Sequence, residues 1–198
     1  MKNKAFTMAE IMIVLTLIGV LTTVMLSSMS RLSPDRKKII FKKAYQTIER
    51  TVAELVNDES LYPYDSTKVG FKNTEKITWP GSDVEYSGGS KFIKLFKRKL
   101  NIIDNYENTN EVLYFLTSDG IAYHIDASTF TGDSNETMIS VDINGEDGPN
   151  CGRNTSNVFS TGCNEGNQDI FRVFVSYDGK VTVEDPLAIE YLKSTNVR

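Results

Sequence analysis

Histidine, cysteine and tryptophan are nearly absent from this chain, which has one His, two Cys and one Trp among 198 residues. That is too few His and Cys for a zinc site of the usual kind. No Ser or Cys motif stands beside His124, and no glycine-rich phosphate loop follows a strand, so the sequence assembles no catalytic constellation. Excess positive charge is also missing. The net charge of -4 speaks against a general nucleic-acid binder. From Ile11 to Ser30 charge of either sign is missing altogether.

What is present is an uneven distribution of apolar residues. The average, 40% hydrophobic and 24% charged, is that of an ordinary globular domain with one appendage. The appendage is the N-terminus. Met1 to Ala5 carries Lys2 and Lys4 and ends in a small residue. The stretch from Phe6 to Ser30 then holds a single ionisable side chain, Glu10. As a helix rising ~1.5 Å per residue, the uncharged run would reach ~30 Å, the thickness of a bilayer hydrocarbon core. An ordinary secretory signal places its cleavage site after the apolar core; here the basic-to-apolar junction precedes it. A carboxylate near the end of such a helix needs a partner or an interface. Glu10 therefore reads either as a headgroup-level charge beside Lys2 and Lys4 or as half of an ion pair formed on assembly.

The junction Ala5, Phe6, Thr7, Met8, Ala9, Glu10 resembles the type IV prepilin signature shared by pilins and type II secretion pseudopilins, with Ala5 where the family usually has Gly. The resemblance covers about residues 2 to 30. It implies cleavage between Ala5 and Phe6 by prepilin peptidase on the cytoplasmic face. N-methylation of Phe6 follows, with S-adenosylmethionine as donor, so this chain is a substrate and not an enzyme. It also implies that Glu10 neutralises the amine of Phe6 on a neighbouring subunit and sets the axial register of a fibre. Arg31, Arg36, Lys37, Lys38, Lys42 and Lys43 outnumber the leader lysines, and positive-inside counting favours the reverse orientation; the junction motif outranks that count.

Beyond the apolar run the sequence predicts a globular domain over 31–198. Helical periodicity returns over 35–60, with Phe41, Ala44, Ile48, Val52 and Leu55 on one face. Residues 61–110 read as a variable connection with turn signals at Pro80-Gly81 and Gly88-Gly89, interrupted by a short basic helix around Phe92, Leu95, Phe96 and Leu100. Over 111–185 the texture is β: one hairpin turns at Asp119-Gly120, a strand lies near Thr137 to Ile143, and a second hairpin turns at Asp178-Gly179. Residues 186–198 read as a tail. The expected fold is α+β, a pilin-like roll in which one long N-terminal helix packs on a C-terminal antiparallel sheet of four or five strands. The segments around Val141 to Asn150 and Asp169 to Phe174 also look like the carboxy-terminal half of certain pilin-like and pseudopilin chains.

Cys151 and Cys163 read as a disulfide, given the export implied by the N-terminus. It would close a loop of about 13 residues, worth ~3 kcal/mol on the chain-entropy estimate. Two unpaired thiols in a cytoplasmic protein are the alternative. Asp142, Asn144, Glu146 and Asp147, with Asp169, gather oxygen ligands of the kind calcium takes. Their spacing fails the EF-hand pattern, and the competing reading is a turn whose Asp and Asn side chains cap backbone amides. His124 alternates away from Tyr123 and Ile125 and reads as a surface histidine. No cofactor is required.

The sequence thus points to a structural subunit of a type IV pilus or type II secretion pseudopilus. It would sit in the cytoplasmic (inner) membrane as a single-pass chain with a cytoplasmic N-terminus, then pass into a periplasmic or extracellular filament. The implied partners are other pilin or pseudopilin subunits, prepilin peptidase and an inner-membrane assembly platform, with no nucleic acid. The competing reading is an uncleaved membrane-anchored binding module of the cell envelope.

Overall fold

A computed structural model describes residues 8–29, 34–107, 112–126, 128–145, 147–154 and 156–194. The chain divides into two compact units, Met1–Arg36 and Lys37–Arg198.

The first unit holds helix α1, Met8–Met29. After Glu10 its residues are apolar or small, and the hydroxyls of Thr16 and Thr22 are satisfied within the helix. The Thr16 hydroxyl donates to Met12 and Ile13, and that of Thr22 to Ile18 and Gly19, the back-bonding that keeps a polar side chain tolerable on an apolar helix. The large apolar side chains described along α1 are exposed, from 46% at Ile11 to 80% at Met8.

The expected single long helix is corrected: a second helix, α2, starts at Pro34 and runs to Val56. Proline has no N–H to continue a helix and is favoured at the first helical position, so Pro34 belongs to a helix start. The apolar stripe predicted from periodicity is the buried face of α2. Phe41, Ala44, Ile48, Val52 and Leu55 are all fully buried.

That face packs on a six-stranded antiparallel sheet in which sequence neighbours pair throughout. The strands are β3 (Ile102–Glu107), β4 (Val112–Thr117), β5 (Ala122–Asp126), β6 (Glu136–Asp142), β7 (Ile170–Ser176) and β8 (Val181–Val183). Alternation decides which side chains meet the helix. Ile139, Val141, Phe171, Val173 and Val175 are buried, and the Phe41 and Phe171 rings lie 4.6 Å apart. Met138, Ser140 and Phe174 on the other face are half-buried.

The connection predicted over 61–110 is more structured than its composition suggested. It contains a two-stranded ribbon, β1 (Ile77–Thr78) with β2 (Glu85–Tyr86), and the predicted basic helix, α3 (Lys91–Lys99). It also contains β3, so the sheet starts before residue 111. Phe96 of α3 sits 6.4 Å from both Phe115 and Tyr123, continuing the core beside α2. Not all of the helix's basic residues face solvent. Lys91 is buried; its ammonium donates to the Asn73 carbonyl at 2.9 Å and lies 4.4 Å from the Tyr62 ring centroid. The expected tail is corrected too, since helix α4 occupies Pro186–Lys193. The Asp185 carboxylate caps it by accepting from Leu187 and Ala188 amides, Pro186 follows the cap, and Ala188 and Tyr191 are buried.

Candidate functional site

The cleavage and methylation residues Ala5 and Phe6 lie outside the described residues. Glu10 occupies the first turn of α1, where a negative side chain complements the helix dipole, and it is exposed. Among the described residues no helix is long and apolar enough to cross a membrane. Side chains of α1 are described only to Thr22, so that finding covers part of the uncharged run. The expected transmembrane helix is not met among them.

The second group of predicted residues surrounds the disulfide. Cys151 and Cys163 are bonded, with Cα atoms 5.4 Å apart. The Cys151 carbonyl accepts the amides of Asp169 and Ile170 at 2.9 Å each, tying the loop to the start of β7. In return the Asp169 carboxylate accepts the amides of Asn150, at 3.0 Å, and Cys151. Asp142, at the end of β6, accepts the Asn144 amide at 3.2 Å. The Asn144 side chain donates to the carbonyls of Asp147 and Gly148. With its nitrogen turned toward the neighbouring oxygens, the Asn150 amide donates to Asp142 at 3.1 Å and to the Asp147 carbonyl at 3.3 Å.

The predicted oxygen set is therefore largely brought together, but as caps for the backbone of a tight turn. Among the described residues no group of three or more His, Cys, Asp or Glu could hold a metal ion; Glu146 lies outside them. Both oxygens of Asp169 are committed to amides, and burial pushes the Asp142 carboxyl up to about 7, with the Asp169 charge acting the same way.

Four further residues shape this region, and three of them carried no signal in the sequence. The Lys37 ammonium donates to the carbonyls of Gly166 and Gln168 at 3.0 Å each, and burial lowers its pKa against the opposing pull of Asp169. The Gln168 amide donates to Asp185 at 2.6 Å. Arg153 stacks over Phe159, 3.8 Å from its centroid, and reaches Glu165 at 3.0 Å and Asp185 at 3.5 Å. Only Asp185 was findable, because Asp before Pro is a helix-start signature. His124 is half-buried, its ring 4.6 Å from that of Tyr114, and burial lowers its pKa.

Chemically, this arrangement anchors the disulfide loop to β6, β7, α2 and the cap of α4. Its carboxylates and side-chain amide nitrogens are engaged, largely with backbone groups, which suits holding a surface in shape. Compared with family models, with curated proteins and with solved structures, the chain finds no match in any of the three.

Proposed function

We propose that the chain is a type IV pilin-like subunit, either of a type IV pilus or of a type II secretion pseudopilus. The observation that carries this reading is the junction Ala5-Phe6-Thr7-Met8-Ala9-Glu10, followed by the uncharged run Ile11 to Ser30. Support comes from α1, whose described apolar side chains are exposed, and from an α+β domain in which a helix packs across an antiparallel sheet.

In this reading prepilin peptidase removes Met1 to Ala5 and methylates Phe6, and the apolar helix holds the subunit in the inner membrane until an assembly platform extracts it. In the fibre, apolar surfaces of neighbouring helices cover one another. The Glu10 carboxylate pairs with the Phe6 amine of the next subunit, because neither charge is tolerable alone in apolar surroundings. The globular domain faces outward, stapled by Cys151 and Cys163.

The test is intact mass and N-terminal peptide mapping of the protein from its native membranes. A chain starting at N-methylated Phe6 is the expected result. A chain starting at Met1 in cells with active prepilin peptidase overturns the reading in favour of an uncleaved, membrane-anchored binding module.

A further inference from the structure

Strand pairing brings a line of polar side chains together on the sheet face turned away from α2. His124 of β5 stands opposite Ser140 of β6, and Ser140 stands opposite Arg172 of β7. Their sequence neighbours Tyr123, Val141 and Phe171 are buried in the core, so alternation turns the three polar residues the other way. Side chains directly opposite on one face have Cβ atoms ~4.5–5.5 Å apart, which makes the line continuous. Met138 and Phe174 also stand opposite one another. They share the face with Ser140 and Arg172 and give the line an apolar flank.

Arg172 is the member of the line that the chain leaves unsatisfied. It is 6% exposed, and its Nε is sealed from water with no hydrogen-bond partner among the described residues. Its Nη nitrogens, to which no described residue bonds either, keep their access to water, so the outer edge of the guanidinium is the part the residue presents. No carboxylate of the described residues lies within ion-pair distance of it, Glu184 just beyond β8 included. Its one ring contact is with Phe174, whose centroid is 5.9 Å from the guanidinium carbon, which sets the group beside the apolar flank. A guanidinium is always charged, and a buried charge without a partner works against folding. Such a group has a place for an anion.

The chemistry of that anion follows from the neighbouring groups. Among the described residues neither the Ser140 hydroxyl nor the His124 ring has a hydrogen-bond partner, and both can donate. Burial lowers the His124 pKa, so the ring is neutral at neutral pH and Arg172 brings the positive charge of the line. Asp126 and Glu136 lie toward the strand ends on the same face, where they oppose a doubly charged phosphate. A planar monoanion that meets two parallel N–H donors is a carboxylate. A pleated sheet face is not the concave cleft that engulfs a free small molecule, so the carboxylate arrives on the surface of another protein.

The geometry points to a docking site for an acidic side chain of a partner polypeptide, its carboxylate taken by Arg172 and Ser140 beside His124 and its methylene stem laid on Met138 and Phe174. The inference does not depend on how the N-terminus is processed.

Two measurements on the full chain in detergent micelles test it. The first is urea unfolding of Arg172→Met, which puts an unbranched apolar side chain beside Met138 and Phe174. With an unpaired buried charge removed, the variant should unfold at a higher urea midpoint than the native chain. The second is an NMR titration with N-acetyl-glutamate methylamide, with the glutamine compound as the uncharged control and inorganic phosphate as the free anion. Saturable shifts of the Ser140 and Arg172 amides are expected with the glutamate compound, with a Kd on the order of 10 mM, and none with the glutamine compound. Arg172→Met should abolish them, and Ser140→Ala should weaken binding about threefold. The inference is overturned if Arg172→Met fails to raise the midpoint, since the guanidinium then has an internal partner, or if no saturable shift appears. Glutamine or phosphate shifting the same amides as strongly as glutamate would also overturn it.

Discussion

In the unit Lys37–Arg198 the large apolar side chains bury one another, whereas along α1 those described stay exposed, 57% at Leu17 against 0% at Phe41. Both helices are about the same length, 22 and 23 residues, so length does not separate them. Pattern does. In α2 the apolar residues form one stripe opposed by Lys42, Lys43, Glu49, Arg50 and Glu54, and one stripe can be buried by one sheet. In α1 apolar residues surround the axis, and no single neighbour covers them. The contrast teaches that α2 gains its stability inside the domain by burying one stripe, while the described apolar side chains of α1 remain in contact with solvent.

The largest effect that would break this comparison is a matched pair of truncations. Phe41→Ala removes a fully buried ring that touches Phe171 and should destabilise the domain by about 3–5 kcal/mol. Leu17→Ala removes a side chain of similar hydrophobicity from α1 and should change domain unfolding by less than about 0.5 kcal/mol. The readout is urea unfolding of the full chain in detergent, followed by the fluorescence of Trp79, the only tryptophan, which packs against the domain core. Equal effects from the two variants would mean that the units do not unfold independently.

The same contrast explains how much was legible in the sequence. The buried face of α2 could be read residue by residue because helical periodicity is a local pattern. The two hairpins were legible because Asp119-Gly120 and Asp178-Gly179 punctuate alternating runs. β3 was not, since Asp104 and Asn105 interrupt its alternation and its register slips between Ile102 and Asp104. Pairing with β4 supplies what the local pattern lacks. α4 escaped because an eight-residue segment has little periodicity to show; Asp185-Pro186 is the one local signal that could have found it. At the candidate site the disulfide could be read from composition and export. The bonds of Lys37 to the 166–168 turn could not, because 129 and 131 positions separate the partners.

A smaller effect sharpens the comparison inside the domain. Replacing both Cys151 and Cys163 with Ser opens a loop whose ends are 12 positions apart, which should lower unfolding stability by about 3 kcal/mol. Hydrogen exchange should then accelerate in the segment between Gly152 and Gln168 by more than the ~3 kcal/mol lost globally, which is the limit for α2 amides that exchange only through global unfolding, because Phe41, Ile48 and Val52 retain their packing. Uniform loss of protection would show that the staple supports the whole domain and not one loop.

A further test concerns the Asp142 carboxyl, raised to about 7 by burial and secondarily by Asp169 and Asp147, against the lowering pull of the Asn144 and Gly145 amides. Between the ordinary carboxylate pKa near ~3.9 and that raised value, the folded chain binds a proton that the unfolded chain has released. The stability associated with this proton is therefore complete below the ordinary pKa and is lost as pH rises toward about 7. Asp142→Asn keeps the shape and cannot ionise, so the variant should lose this downward trend and gain on the native chain as pH rises from 4 to 8. Urea midpoints measured across that range on both chains, with Trp79 as reporter, decide it. Parallel curves would mean that Asp142 titrates like an exposed carboxylate, and that the turn beside the disulfide is open to water in a way its hydrogen bonds do not suggest.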